Sequence, residues 1–167
     1  MQGKTVKESV VVTAQVMGPQ DVNLAGNIHG GVIMKLIDTA AGSVAIRHAR
    51  SNAVTASIDR LDFLYPVYPG DLVTCRASLN MVGKTSMEIG VRVEAEDLIT
   101  GDVRHTASAY LTFVALDKAG RPLTIPPLIL ETDEDRRRNQ EAQLRREVRL
   151  REAHEHRKNK ENSKKAS

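Results

Sequence analysis

The segment that decides the fold is residues 30–49, GGVIMKLIDTAAGSVAIRHA. Apolar residues lie on nearly every side of a helix drawn through it, and after Asp38 charge returns only near its basic end. Basic side chains there suit the negative end of a helix dipole. A helix that is apolar all round is normally covered by other elements. We therefore expect one buried helix, from about Val32 to Ala49, at the centre of the fold.

The segments on both sides of this helix alternate between apolar and polar residues, as β-strands do. One strand is predicted before the helix and four after it, separated by glycine, proline and aspartate turns: Val6–Val16, Ala53–Leu64, Leu72–Val82, Ser86–Asp97 and Val103–Leu116. Short connections favour antiparallel pairing. The sequence thus predicts an α+β fold in which an antiparallel sheet wraps round one long helix.

The net charge of +3 and the pI near 9.1 come from one end of the chain. Residues 1–130 contain 12 basic and 12 acidic side chains, whereas residues 131–167 contain 12 and 9. Prolines precede this change in composition. We expect a domain at 1–130 and a charged tail at 131–167. In the tail we expect a solvated helix from about Asp133 to His156, free or lying along a neighbouring subunit, and disorder beyond Lys158.

Composition excludes several classes of protein. The single Cys75 rules out a disulfide framework and a multi-cysteine zinc site, so we expect no metal and a reducing cytoplasm. No apolar run approaches the ~18–20 residues of a membrane span, and no apolar leader follows Met1. A basic pI could indicate nucleic-acid binding, but a neutral domain with an acid-laced tail argues against it.

Two features of the helix suggest chemistry. Asp38 lies among apolar residues, where a carboxylate costs several kcal/mol unless it is paired. It is therefore either a catalytic carboxylate or a structural one, bonded to a neighbouring hydroxyl or arginine. Gly30 and Gly31 stand at the helix start, where backbone N–H groups lack partners. They either stabilise a developing oxyanion or only allow tight packing.

The loop before the helix is polar, with Asp21, Asn23, Asn27 and His29. Such residues usually form turns and caps. His29 could act as a base, although a lone histidine beside a helix start is more often structural. The sequence contains no Gly-x-Ser-x-Gly turn, no phosphate-binding lysine loop and no Gly-x-Gly-x-x-Gly motif.

Five motifs in consistent order, spanning about residues 8–128, carry a resemblance to a known family: Asn23–Gly31 with Met34–Asp38, Val54–Asp59, Pro66-Val67 with Gly70-Asp71, Gly83–Glu88, and Phe113–Asp117 with Gly120–Pro122. The chain resembles the acyl-CoA hydrolases of the hotdog superfamily, in the brain-type and YciA-like branch. The resemblance implies a sheet wrapped round a helix, a minimal active dimer, and commonly trimers of dimers. It also implies hydrolysis of acyl-CoA to free acid and CoA without metal or cofactor.

The resemblance also assigns roles to residues. Asp38 matches the acidic residue that activates water or attacks the thioester carbonyl, and both roles are chemically open to a carboxylate. Asn23 matches the asparagine that orients substrate or water at the Asp of the facing subunit, with Asn27 as a rival. The region of Gly30 and Gly31 supplies backbone donors to the thioester oxygen.

The remaining assignments concern substrate binding. Lys84, Thr85 and Ser86 match positions that contact the nucleotide and pantetheine part of CoA. Val54 and Thr55 fall on a strand beside the acyl tunnel. On this interpretation, truncation after Leu130 should leave turnover largely intact.

Two other functions remain open. A non-catalytic acyl-CoA-binding regulator could use the same fold, but it would normally need an attached DNA-binding helix pair, and too few residues precede Val10 to supply one. A dehydratase of the same fold needs a catalytic histidine with an acidic partner on the central helix. Asp38 is in place, but His29 precedes the helix, so the dehydratase ranks lower.

Overall fold

The computed structural model describes the backbone of residues 1–165 and the side chains up to residue 156, with that of residue 158. In chain order the elements are β1 (Lys4–Thr5), β2 (Val11–Val16), α1 (Gly30–Ala49), β3 (Asn52–Phe63), β4 (Leu72–Val82), β5 (Ser86–Glu96), β6 (Val103–Leu116), β7 (Leu128–Ile129) and α2 (Asp133–Lys165). The four long strands predicted after α1 are observed to within one residue at each end. The first predicted strand is divided between β1 and β2.

Five strands form one antiparallel sheet in the order β2-β4-β5-β6-β3. β3 pairs with β6 and not with its sequence neighbour β4, so the connection at 64–71 carries the chain from one edge of the sheet towards the other. β2 and β3 are the two edges. The short strands β1 and β7 pair in parallel as a separate ribbon.

α1 packs on one face of the sheet through a face rich in small residues. Ala40, Ala41, Val44 and Ala45 are fully buried against it. The sheet contributes larger side chains to the same core, among them Met87, Ile89, Val93, Leu111 and Phe113. Small residues on the helix allow its backbone to approach the sheet closely, and the large sheet residues fill the remaining space.

The opposite face of α1 is open, which corrects the prediction that the helix is covered all round. Met34 and Ile46 expose 40% and 47% of their surfaces, and Lys35, Asp38 and Thr39 are also exposed. The apolar residues on this face are therefore not explained by packing within one chain.

The C-terminal end of α1 is tied through a buried histidine to the N-terminal segment and to the segment that follows β6. The Nδ1 atom of His48 lies 2.9 Å from Ser9 Oγ, and its Nε2 atom lies 2.9 Å from the carbonyl oxygen of Pro126. Lys4 Nζ donates to the carbonyl of His48. This cluster joins the segment before β2 to the segment before β7.

The helix predicted from Asp133 is observed and most of its described side chains are exposed, but one face of α2 docks on the outer face of the sheet. Ala142 is fully buried, and Arg145 forms an ion pair at 2.7 Å with Glu88 of β5, which has 0% exposure. The Arg145 guanidinium also lies 3.8 Å from the Tyr110 ring centroid. Burial by itself lowers the pKa of Arg145, but the bond and charge of Glu88 raise it on balance.

Further polar contacts fix the first half of α2. Asn139 Nδ2 donates to the carbonyl of Asn80, and Arg138 contacts Ser78 Oγ. The helix continues to Lys165, past the end predicted near His156 and through most of the segment predicted to be disordered. Residues 166 and 167 lie outside the described part. No described helix is long and apolar enough to span a membrane.

Candidate active site

Asp38 lies on the open face of α1, and its carboxylate is held from the sheet. Thr55 Oγ1 on β3 donates a hydrogen bond of 2.6 Å to Asp38 Oδ1. Asp38 is exposed in the single chain, so the expected desolvation cost does not arise there. Among the described residues no donor contacts Oδ2, which leaves that oxygen available to accept a proton or to react.

Thr55 lies on β3, the strand expected to run beside the acyl tunnel, and its hydroxyl also binds the candidate catalytic carboxylate. The sequence does not predict this second contact. The sequence contained one relevant signal, since an aspartate among apolar residues is expected to bond a hydroxyl or an arginine. Val54 is exposed on the edge strand.

The start of α1 is capped by His29. Its Nδ1 atom accepts from Gly31 N–H at 2.9 Å, and its carbonyl accepts from Val32 N–H. The Gly31 donor is thus already used, which corrects its expected role as a free oxyanion donor. Within residues 1–165 the N–H of Gly30 has no acceptor, so Gly30 alone keeps that capacity. His29 serves as a cap.

Asn23 and Asn27, the two rival amides, form one turn. Asn23 Nδ2 donates to Asn27 Oδ1 at 2.7 Å, and Asn23 Oδ1 accepts from Ala25 N–H. The backbone N–H of Asn23 donates to the Asn27 carbonyl. No hydrogen bond joins Asn23 to Asp38 within the described part of one chain.

A cleft of about 330 Å³ opens beside the helix start. Asn27, Gly30 and Ile33 line one side, and Phe63 with Thr106 line the other. A Cβ atom added at Gly30 would lie 3.4 Å from the Phe63 ring, so glycine keeps the backbone accessible there. Sequence reasoning did not identify Phe63, although aromatic residues just before Pro66 mark the end of that strand.

Lys84, Thr85 and Ser86 form the turn between β4 and β5. The carbonyl of Lys84 accepts from Ile125 N–H, and that of Thr85 accepts from Ala115 N–H, so the backbone of the turn is fixed. Ser86 pairs with Val114, which pairs with Val54 on β3. Two strand spacings, about 10 Å, therefore separate this turn from the strand that carries Thr55.

The described residues contain no group of three or more His, Cys, Asp or Glu side chains placed to hold a metal ion. The functional groups of one chain are separate: the Asp38 carboxylate with the Thr55 hydroxyl, and the Gly30 N–H beside the cleft at the helix start. A carboxylate held by a hydroxyl suits general-base or nucleophilic attack on a carbonyl.

An antiparallel sheet packed on one long helix, with a carboxylate on the open helix face, defines the hotdog class of fold. The family model of the Thioesterase superfamily matches residues 25–101. The chain belongs to this superfamily, which confirms the resemblance and the predicted fold class.

The curated relatives are named as hydrolases of acyl-CoA thioesters. The chain is 42% identical to the "Uncharacterized acyl-CoA thioester hydrolase YkhA" of Bacillus subtilis over 129 residues, which are 77% of this chain and 75% of that protein. It is 38% identical to the "Cytosolic acyl coenzyme A thioester hydrolase" of Homo sapiens over 84% of this chain. The chain spans only 38% of the length of that human relative.

Solved structures agree with these relatives. An apo-hexameric acyl-CoA thioesterase superposes with a TM-score of 0.88 at 36% identity, covering 92% of this chain and 98% of that one. An acyl-CoA hydrolase from Staphylococcus aureus, in complex with butyryl coenzyme A, coenzyme A and coenzyme A disulfide, superposes with a TM-score of 0.86 at 34% identity, covering 95% and 96%. That protein has also been solved with one aspartate, one asparagine or one threonine replaced by alanine.

Proposed function

We propose that this chain hydrolyses the thioester of acyl-CoA to a free acid and CoA, with Asp38 as the reacting carboxylate. The observation that carries the proposal is the Thr55–Asp38 hydrogen bond on the open face of α1. In the Staphylococcus aureus hydrolase the replaced asparagine precedes the aspartate by fifteen positions, and the threonine follows it by seventeen. Asn23 and Thr55 have the same spacings from Asp38.

Each group has a chemical role in this reaction. Thr55 holds Oδ1 of Asp38, which leaves Oδ2 to take a proton from water or to attack the carbonyl carbon itself. Either route places negative charge on the thioester oxygen. Gly30 lies eight residues, about 12 Å along α1, before Asp38 of the same chain, so the donor that would stabilise this charge is the Gly30 N–H of the facing subunit. Collapse of the tetrahedral intermediate breaks the carbon–sulfur bond and releases CoA, whose sulfur then takes a proton.

Substrate binding is proposed from the same arrangement. The turn of Lys84, Thr85 and Ser86 brings a cation and two hydroxyls to the end of the sheet that carries Thr55, and these would bind the nucleotide and pantetheine part of CoA. Val54 on the edge strand would contact the acyl chain. We propose a cytoplasmic location, supported by the human relative named as cytosolic.

We also propose that the active unit is a dimer, because one chain leaves its site incomplete. The free edge of β3 exposes apolar side chains on both faces of the sheet, Val54 on the outer face and Ile58 on the face of α1, each 42% exposed. Pairing two β3 edges would join two sheets into one and cover both helix faces. It would also bring Asn23 of one subunit towards Asp38 of the other. The hexameric relatives support assembly into trimers of such dimers.

The test of the proposed function is the turnover of Asp38→Asn and Asp38→Ala chains. Turnover is measured as the release of CoA thiol from a series of acyl-CoA substrates. We expect loss of at least ~10³-fold in kcat with substrate binding retained, because the reacting group is removed. The matched control is Asp133→Asn, which alters a fully exposed carboxylate paired with Arg136 inside α2, away from the β3 edge. Wild-type turnover in a folded Asp38→Ala chain would refute the mechanism, and tight binding without thiol release by the wild type would favour an acyl-CoA-binding protein.

The two roles of Asp38 are separated by a single turnover in H₂¹⁸O. If Asp38 acts as a base, the heavy oxygen enters the fatty acid and the peptide that contains Asp38 keeps its mass. If Asp38 is the nucleophile, water that attacks the Asp38 carbon of the mixed anhydride leaves heavy oxygen in the carboxylate, whereas water that attacks the acyl carbon puts it in the fatty acid, as the base route does. Heavy oxygen in the peptide therefore assigns the nucleophile role. Rapid quench of the same turnover separates the remaining case, because only a nucleophilic Asp38 carries an acyl group whose mass is seen on that peptide.

A further inference from the structure

Two irregular positions in β3 determine which face of the sheet Thr55 occupies. Thr55 pairs with Phe113, but the next pair is Ser57 with Thr112, so one residue is unpaired between them. A second shift falls between Ile58 and Arg60 and leaves Asp59 as the extra residue. Such bulges set the direction in which neighbouring side chains point.

The carboxylate of Asp59 holds the second bulge by contacts to three elements. Ser57 Oγ, on the same strand, donates to Oδ1 at 2.8 Å. Thr112 Oγ1 on β6 donates to Oδ2 at 3.1 Å, and Arg149 of α2 donates to the same oxygen. The side chain of Asp59 is 13% exposed and that of Arg149 is 25% exposed, so the ion pair is largely shielded from solvent.

Because the two bulges are close together, the contacts of Asp59 also affect the position of Thr55 at the active site. Only Ser57 and Ile58 pair regularly between the two shifts. A one-residue slip of a strand moves its side chains to the opposite face. A slip of β3 at this point would therefore remove the Thr55 hydroxyl from Asp38, which it now contacts at 2.6 Å.

We infer that Asp59 and Arg149 are positioning residues for the reaction, which act on Asp38 through the register of β3 and the hydroxyl of Thr55. If this inference holds, α2 belongs to the catalytic unit. The inference rests on the proposed role of Asp38.

The test compares Arg149→Met and Arg149→Lys with the wild type. We expect Arg149→Met to lower kcat about fivefold with KM changed less than about twofold, because a displaced reacting group affects the chemical step more than binding. Arg149→Lys keeps a cation in reach of Asp59 and should restore most of the loss. Arg137→Met is the matched control, since the Arg137 ion pairs are with Glu134 and Glu141 inside α2.

A double-mutant cycle identifies the route. In a Thr55→Val background the Thr55–Asp38 bond is already lost, so Arg149→Met should produce no further decrease in kcat. An equal decrease in both backgrounds would overturn the inference, because Arg149 would then act by another route. Unchanged kcat in Arg149→Met, with Asp38→Ala inactive, would overturn it while leaving the proposed function intact.

A second readout does not depend on activity. Amide hydrogen exchange at residues 54–58 should accelerate in Arg149→Met and remain unchanged in Arg137→Met, because only the former loosens the bulge. Equal exchange in the two variants would overturn the inference whatever reaction the protein performs. Conversely, loss of the proposed function would appear as turnover that survives Asp38→Ala, with the exchange result unaffected.

Discussion

Asp38 illustrates how far a single residue can be interpreted from sequence. It is the one acidic residue in an otherwise largely apolar helix, and the motif around it predicts a catalytic role. The reason given for the exception was incomplete, because apolar neighbours were taken to mean burial within one chain. In the structure they form an open face, and the carboxylate is satisfied by Thr55. Periodicity identifies which residues share a face but not what covers it.

The two glycines at the helix start show a second limit of the sequence. Both were expected to offer backbone donors, but the side chain of His29 turns back and takes the N–H of Gly31. The choice between base, cap and donor for a histidine depends on a rotamer and on the local backbone direction. Neither follows from residue spacing. The sequence therefore predicts which groups stand at the helix start but not which of them is a cap and which is a free donor.

His48 predicts a pH dependence of stability. Burial lowers the pKa of His48 below its ordinary value of 6.5, although the Pro126 carbonyl opposes this and the charges of Lys4 and Glu8 act in opposite directions. As pH falls, the unfolded chain binds the proton first. The stabilisation is therefore present above pH 6.5 and is lost as pH falls from 6.5 towards the lower folded-state pKa.

The measurement is the free energy of unfolding from urea titrations between pH 7.5 and 5. We expect a decrease across this window in the wild type and a smaller decrease in His48→Asn, which is less stable at pH 7.5 but lacks the titrating ring. His154→Gln, at an exposed position of α2, is the control and should keep the wild-type slope. Identical slopes in wild type and His48→Asn would contradict the assignment.

At the scale of elements, strands were predicted well because alternation is local. The boundaries of the four strands after α1 agree to within one residue. The pairing of β3 with β6 was not predictable in the same way, since it depends on the path of the connection at 64–71. The two bulges in β3 were also not visible, because a bulge is a property of a pair of strands.

The docking of α2 on the sheet was not predicted from the composition of the tail. Its charged residues were interpreted as a solvated surface because it has few large apolar side chains. The structure instead buries one alanine and uses arginines to meet carboxylates on the sheet, including the fully buried Glu88. A charged helix can thus be a docked one when its partners lie on another element.

Truncation gives the matching prediction. A chain that ends at Leu130 loses the partners of Glu88 and Asp59, and removal of one member of a buried ion pair costs ~3–5 kcal/mol. We now expect this chain to unfold at clearly lower temperature and to lose turnover, contrary to the expectation from composition. Differential scanning calorimetry and thiol release measure both effects.

A chain that ends at His156 is the control, because it retains Arg145 and Arg149 with their contacts. It should match the full chain in melting temperature and kcat. Arg145→Met tests the Glu88 contact alone and should reproduce much of the loss of stability. If truncation at Leu130 left both quantities unchanged, the observed docking of α2 would contribute nothing to the domain.

At the scale of the whole molecule, the proposed dimer predicts complementation between inactive chains. Asp38→Ala keeps Asn23, and Asn23→Ala keeps Asp38. If the site uses one residue from each subunit, a mixed dimer has one intact site and one doubly altered site. If equal amounts of the two chains pair at random, one quarter of all sites are intact, so the mixture should show about one quarter of the wild-type turnover.

The two chains are co-expressed with different affinity tags, and the mixed species is isolated before assay. Its turnover should be about half that of the wild type if the tags isolate single dimers, because one site of two is intact, and about one quarter if they isolate trimers of randomly paired dimers. Asp38→Ala co-expressed with Asp38→Asn is the control and should remain inactive. Mixed dimers no more active than the separate variants would place Asn23 and Asp38 in the same chain's site or remove Asn23 from the mechanism.

The unpaired edge of β3 also makes the subunit prone to aggregation before it assembles. An open strand edge flanked by exposed apolar side chains is a template for indiscriminate pairing with other chains. Newly made subunits therefore face a competition between the correct partner and aggregation, which depends on how quickly two copies meet. Stability should therefore rise with protein concentration, because association covers the open edge.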